Sequence, residues 1–146
     1  MSNAKSIINL ILIALVLILP ACEKEIENPE ACYILTVKSA DGTIVLEAPY
    51  IVDVKQVIDF KSCGTADYYA FFSGAPGNIW SEYTNPADST TIGADTNSNG
   101  DFTFAYPISG NYTVTVVLTN RKFKDPHNYK QVTIDFAIQV KEPEAK

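Results

Sequence analysis

The residues of this chain with types suited to chemistry are few: three cysteines, one histidine, and an Asp/Asn-rich run. Cys22, Cys32 and Cys63 are too far apart for a compact metal knuckle, and the only histidine, His127, sits in the polar turn Lys124-Asp125-Pro126-His127-Asn128. Asp95-x-Asn97-x-Asn99-Gly100-Asp101 matches the front half of a calcium loop, with oxygen ligands at alternate positions and a glycine for the sharp turn. The position of the bidentate glutamate is Tyr106, so the run is expected to form a hairpin turn at Asn99-Gly100, and no metal is assigned. No thiol or hydroxyl has a base beside it, and no pair of carboxylates stands out, so neither an enzyme nor a cofactor is expected. The remaining candidates are aromatic. Tyr68, Phe72, Trp80 and Tyr83 cluster around Gly74-Ala75-Pro76-Gly77. Rings of this kind give contact area to sugar faces or to protein partners when exposed, and fill a core when buried.

The first element to position is the N-terminus. Lys5 supplies a positive charge, Ile7 to Leu19 is apolar apart from Asn9, and Leu19-Pro20-Ala21-Cys22 leads into Glu23-Lys24-Glu25-Ile26-Glu27. An apolar run of about 13 residues is too short to span a bilayer and has the length of a secretory h-region. This order resembles the signal of bacterial lipoproteins. The resemblance implies removal of residues 1–21 and lipidation of Cys22, whose acyl chains would hold the protein on a membrane, each buried CH₂ contributing about 0.8 kcal/mol. The location implied is the cell envelope, as an outer-membrane lipoprotein. Residues 22–30 read as an acidic tether, similar to the export tag of surface-displayed lipoproteins.

With Cys22 so assigned, Cys32 and Cys63 remain. An even pair in an oxidising compartment points to a disulfide, with two separate buried thiols as the alternative. Antiparallel pairing of a strand starting after Cys32 with one ending before Cys63 would bring them together. The acidic balance, 17 acidic against 11 basic residues, argues against nucleic acid as a partner and against electrostatic binding to anionic lipid.

Residues 31–141 alternate as strands. Tyr33, Leu35 and Val37 share a face, and Ile44 and Leu46 resume after Ser39-Ala40-Asp41-Gly42. Val52, Val54, Ile58 and Phe60 read as one further strand with Gln56 out of pattern, and Tyr69 with Phe71 continues the set. Tyr112, Val114, Val116 and Leu118 oppose Thr113, Thr115 and Thr119, and Val132 to Val140 alternates with Thr133 to Lys141. The expected fold is an all-β, Ig-like β-sandwich of two antiparallel sheets with about seven strands, followed by a tail at 142–146.

Phe104-Ala105-Tyr106-Pro107-Ile108-Ser109-Gly110-Asn111-Tyr112-Thr113-Val114 and the strand after it resemble the closing motif of PKD domains, with Phe104 where that family usually has histidine. The resemblance spans residues 50–141 and is weaker around Phe71-Phe72-Ser73-Gly74, which lacks the family's acidic turn. It implies an Ig-like extracellular module, with Gly110 in a tight turn and Tyr112 as a tyrosine corner. Together these readings give a lipid-anchored binding or adhesion module meeting a glycan or an envelope protein through Phe72, Trp80, Tyr68 and Tyr83. The alternative is a structural accessory subunit of an envelope complex with no small ligand.

Overall fold

The computed structural model describes residues 25–80, 95–122 and 125–143. Its strands are β1 (Tyr33–Ser39), β2 (Gly42–Val45), β3 (Tyr50–Asp53), β4 (Ile58–Ser62), β5 (Tyr68–Phe72), β6 (Asp95–Asn97), β7 (Phe102–Phe104), β8 (Gly110–Lys122) and β9 (Asp125–Lys141). They form a four-stranded sheet, β2-β1-β4-β7, and a five-stranded sheet, β3-β9-β8-β5-β6. The fold is all-β with two sheets, as the alternation predicts. It has nine strands among the described residues rather than about seven. One pairing, β3 with β9, is parallel, so the five-stranded sheet is mixed.

Two of the differences have local causes. The single strand expected through Val52 and Phe60 is two strands belonging to different sheets. The chain turns at Lys55, whose φ of 64° lies in the left-handed region. Gln56 closes that turn, its N–H donating to the Asp53 carbonyl at 3.0 Å and its side-chain oxygen accepting from the Asp53 N–H at 3.0 Å. Gln56 breaks the alternation because the chain is crossing between layers there. Val52 and Ile58 then enter the same core from opposite sheets. Likewise, Asn99-Gly100 is not a hairpin: β6 pairs with β5 and β7 with β4, so the segment is an arch between the sheets. The Asn97 side-chain oxygen accepts from the Gly100 N–H at 2.7 Å, and its amide donates to the Asp101 carbonyl at 2.8 Å. Gly100 has φ of +75°, and a Cβ there would meet the Tyr69 ring at 2.7 Å. Asp101 ties the arch to β4, accepting from Lys61 Nζ at 2.8 Å and from the Ser62 N–H at 3.1 Å. The side-chain oxygens of Asn97, Asn99 and Asp101, which suggested a calcium loop, are thus engaged in building a turn. The hydrogen-bonded Lys61 ammonium holds the Asp101 carboxyl below its ordinary range.

Aromatic rings fill the space between the sheets. Phe71 on β5 lies 5.0 Å from Phe60 on β4 and 5.0 Å from Phe102 on β7, centroid to centroid. Phe136 on β9 completes the contact with Phe60 at 6.0 Å. Edge-on and offset arrangements of this kind add attraction beyond the area they bury. Tyr106 is fully buried below them, its hydroxyl donating to the Ser73 carbonyl at 2.6 Å. Tyr112 stacks on Tyr106 at 4.1 Å and its hydroxyl donates to the Ile108 carbonyl at 2.9 Å. Gly110 is not in the left-handed region expected of a tight turn, and a Cβ there would make only ordinary contact with the Tyr112 ring at 3.5 Å.

Cys32 and Cys63 are disulfide-bonded. The register explains why: Tyr33 pairs with Ser62, so the next residues outward are the two cysteines. Beyond them Glu30 and Thr65 form an isolated antiparallel bridge, and Asn120 donates to the Glu27 carbonyl at 3.0 Å. The described part of the segment expected as a tether therefore lies along the domain. Cys22 and the residues before it lie outside the described residues. The disulfide closes a 31-residue separation. Reduction, or the Cys32→Ser/Cys63→Ser double variant, is expected to lower unfolding free energy by about 3–4 kcal/mol in urea titrations.

Candidate functional site

The face of the five-stranded sheet turned away from the core is where the structure gathers most of the candidate aromatics. Alternation along β5 sends Tyr69 and Phe71 into the core and Tyr68, Ala70 and Phe72 to the opposite face. The cross-strand register then lays out three rows. Tyr68 lies beside Thr119 and Gln131, Ala70 between Thr96 and Val117 with Thr133 beyond, and Phe72 beside Thr115 and Asp135. Tyr68 and Phe72 are four residues apart on one strand, so they stand about 13 Å apart along it.

Phe72 is not open contact surface. It is 0% exposed, and the Trp80 ring lies over it at 5.0 Å. The turn after β5 makes this possible. Pro76 and Gly77 occupy its centre, Gly77 with φ of +79°, and the Asn78 N–H donates to the Ala75 carbonyl at 2.8 Å. Gly74 donates back to the Asn78 carbonyl at 3.0 Å, and the Asn78 side-chain oxygen accepts from the Ser73 N–H. A Cβ at Gly74 would collide with the Thr113 backbone, so only glycine lets the turn sit this close to β8. The loop returns onto the sheet, and Trp80, half-buried, becomes the outward ring above Phe72. Thr115 and Val117, on the same face of β8, are buried as well.

At the other end of the face, Tyr68 is 44% exposed, with the Arg121 guanidinium 4.0 Å from its ring centroid. Asp67 fixes that corner: its carboxylate accepts from the Arg121 N–H at 2.9 Å, and its own N–H donates to the Asn120 side chain at 2.9 Å. Arg121, Ala70 and Val117 were not marked by the sequence as part of a site. Only the β5–β8 register, across some fifty residues of chain, brings them beside Tyr68. Between the two rings Val117 and Thr115 are buried, the Thr115 hydroxyl donating to Asp135 at 2.6 Å, and Thr96, Thr119, Gln131 and Thr133 stay at the surface, the Thr119 hydroxyl accepting from Gln131 at 3.1 Å. Tyr83 lies outside the described residues.

Such a surface offers an exposed Tyr68 ring with a guanidinium over one face, a half-buried Trp80 ring, and hydroxyl and amide groups that exchange hydrogen bonds with a polyol. Neither disulfide-bonded cysteine is a free nucleophile, and His127 is exposed near the start of β9. No protein-family model, no curated protein and no solved structure matches this chain.

Trp80 is the only tryptophan, so its emission reports on the loop alone. Asn78→Ala removes the acceptor that holds the turn. It is expected to red-shift Trp80 emission, to increase acrylamide quenching, and to cost about 1–2 kcal/mol of stability.

Proposed function

We propose that this chain is a lipid-anchored, extracytoplasmic binding module, non-catalytic, that holds a cell-envelope polysaccharide on the outer face of its five-stranded sheet. One observation carries this reading. Tyr68 and Trp80, twelve residues apart in sequence, stand toward the two ends of one sheet face, with Ala70, Thr96 and Thr133 in the row between and Thr119 and Gln131 beside Tyr68. Rings spaced along a sheet face suit an extended chain of sugars better than a single small ligand, since each ring takes one sugar face and the polar side chains meet the hydroxyls between. Anchoring rests on the order of residues around Cys22, and the acyl chains would be carried there.

The Ig-like, PKD-type reading of the sandwich is supported by three features. β3 pairs in parallel with the last strand while β1 pairs with β4 in the other sheet. The Tyr112 hydroxyl reaches back to the Ile108 backbone in the manner of a tyrosine corner. Tyr106, from the same stretch, is buried in the core.

Binding of the protein to purified envelope polysaccharides, followed by affinity electrophoresis, tests the assignment. Tyr68→Ala and Trp80→Ala are each expected to weaken binding about tenfold, near 1.4 kcal/mol, while leaving the fold intact. Retardation that is unchanged in the double variant, or absent for every polysaccharide, would remove the site from this face.

A further inference from the structure

We propose that the outer edge of β2, in the other sheet, which no strand pairs with among the described residues, accepts an added strand from a different polypeptide, an extended segment with a β-branched centre and a basic side chain at each end. Sheet edges expose unpaired N–H and C=O groups and are usually blunted by shortness, charge or proline. Among the described residues the other open edges are blunted in that way, including the stretch of β9 that β3 leaves unpaired, which carries exposed Asp125, Lys130 and Asp135. β6 and β7 are three residues long, and β3 follows Pro49 and ends at Asp53. β2 is Gly42-Thr43-Ile44-Val45, with no charge and no proline. All four residues are exposed, Ile44 by 51% and Val45 by 59%, and Ile34 beside them on β1 by 46%.

The hydrogen-bond phase of this edge can be read from the ladder. The Leu46 N–H donates to the Leu35 carbonyl at 2.8 Å, so Leu35 and Leu46 are a bonded pair. Alternation then turns Ile44 and Gly42 toward β1, and Thr43 and Val45 outward. An incoming strand would pair with the outward groups of Thr43 and Val45 and lay apolar side chains beside Ile44 and Val45.

Charge selects the occupant. Exposed Asp41 and Glu47 bracket the open stretch. A second copy pairing antiparallel over the whole stretch is centred on Ile44 and sets Asp41 against Glu47 at both ends, which like charges disfavour. A segment with lysine or arginine at both ends meets a carboxylate at each instead. This site is separate from the aromatic face and stands whether or not that face binds sugar.

The probe is the capped peptide Lys-Thr-Val-Thr-Val-Thr-Lys, titrated into the full chain in detergent and followed by amide NMR. Saturable binding is expected, with slowed exchange of the Thr43 and Val45 amides. The same peptide with glutamate at both ends is expected to bind about tenfold or more weakly. Val45→Pro removes an outward N–H that the β1 ladder does not use, and is expected to abolish binding with the melting temperature unchanged. An Asp41→Lys, Glu47→Lys double variant is expected to prefer the glutamate-ended peptide, which keeps the test decisive should Val45→Pro not fold. No binding of the lysine-ended peptide, equal affinity for both peptides, or binding that survives Val45→Pro would overturn the proposal. Concentration-dependent self-association with the Thr43 and Val45 amides protected in the absence of peptide would overturn it in favour of a second copy.

Discussion

Phe71 is held between Phe60 and Phe102, one ring from each of two neighbouring strands of the opposite sheet. Strand side chains alternate with a period of two, so seating Phe71 in the core fixes the direction of every other side chain on β5. Tyr69 follows it inward, where its hydroxyl donates to the Gly64 carbonyl at 3.4 Å. Tyr68, Ala70 and Phe72 have no choice but the outer face. A slip of one residue would bury Tyr68 and Phe72 and expose Tyr69 and Phe71, removing the core and the aromatic face together. The site is thus a consequence of core packing and not an addition to it.

The two ends of that face are finished by different devices. Near Tyr68 the chain enters the domain, and several ties meet within a few residues: the Cys32–Cys63 bond, the Glu30–Thr65 bridge, and the Asn120 contact to Glu27. Near Phe72 a turn closed by Asn78 and admitted by Gly74 brings Trp80 onto the Phe72 ring. The first end is covalently braced, whereas the described ties at the second are hydrogen bonds within the turn and the ring contact of Trp80 with Phe72. The open β2 edge belongs to the other layer, so a strand added there would leave the aromatic face uncovered.

Much of this was legible in the sequence because strand alternation is a local signal. Leu35, Val37, Val114, Val116 and Leu118 face the core as their spacing predicts. The disulfide was legible for the same reason, since antiparallel β1 and β4 must bring Cys32 beside Cys63. What was not legible depends on crossing between layers. Gln56 broke the pattern without saying that the chain changes sheets there, and Asn97 to Asp101 carried a hairpin composition while forming an arch. Phe72 read as a contact residue because its burial comes from a loop returning onto it, and Arg121 was invisible because only the β5–β8 register brings it to Tyr68. The Pro-Gly turn was visible; its landing point was not.

Hydroxyl-radical footprinting with residue-level mass spectrometry tests whether β5 presents Tyr68 outward and the loop after it presents Trp80, while Tyr69, Phe71 and Phe72 are covered. Rapid oxidation of Tyr68 and Trp80 is expected, with little at the other three, and protection of the first two when a bound polysaccharide is present. Rapid oxidation of Tyr69 or Phe71 with Tyr68 protected in the free protein would contradict this arrangement.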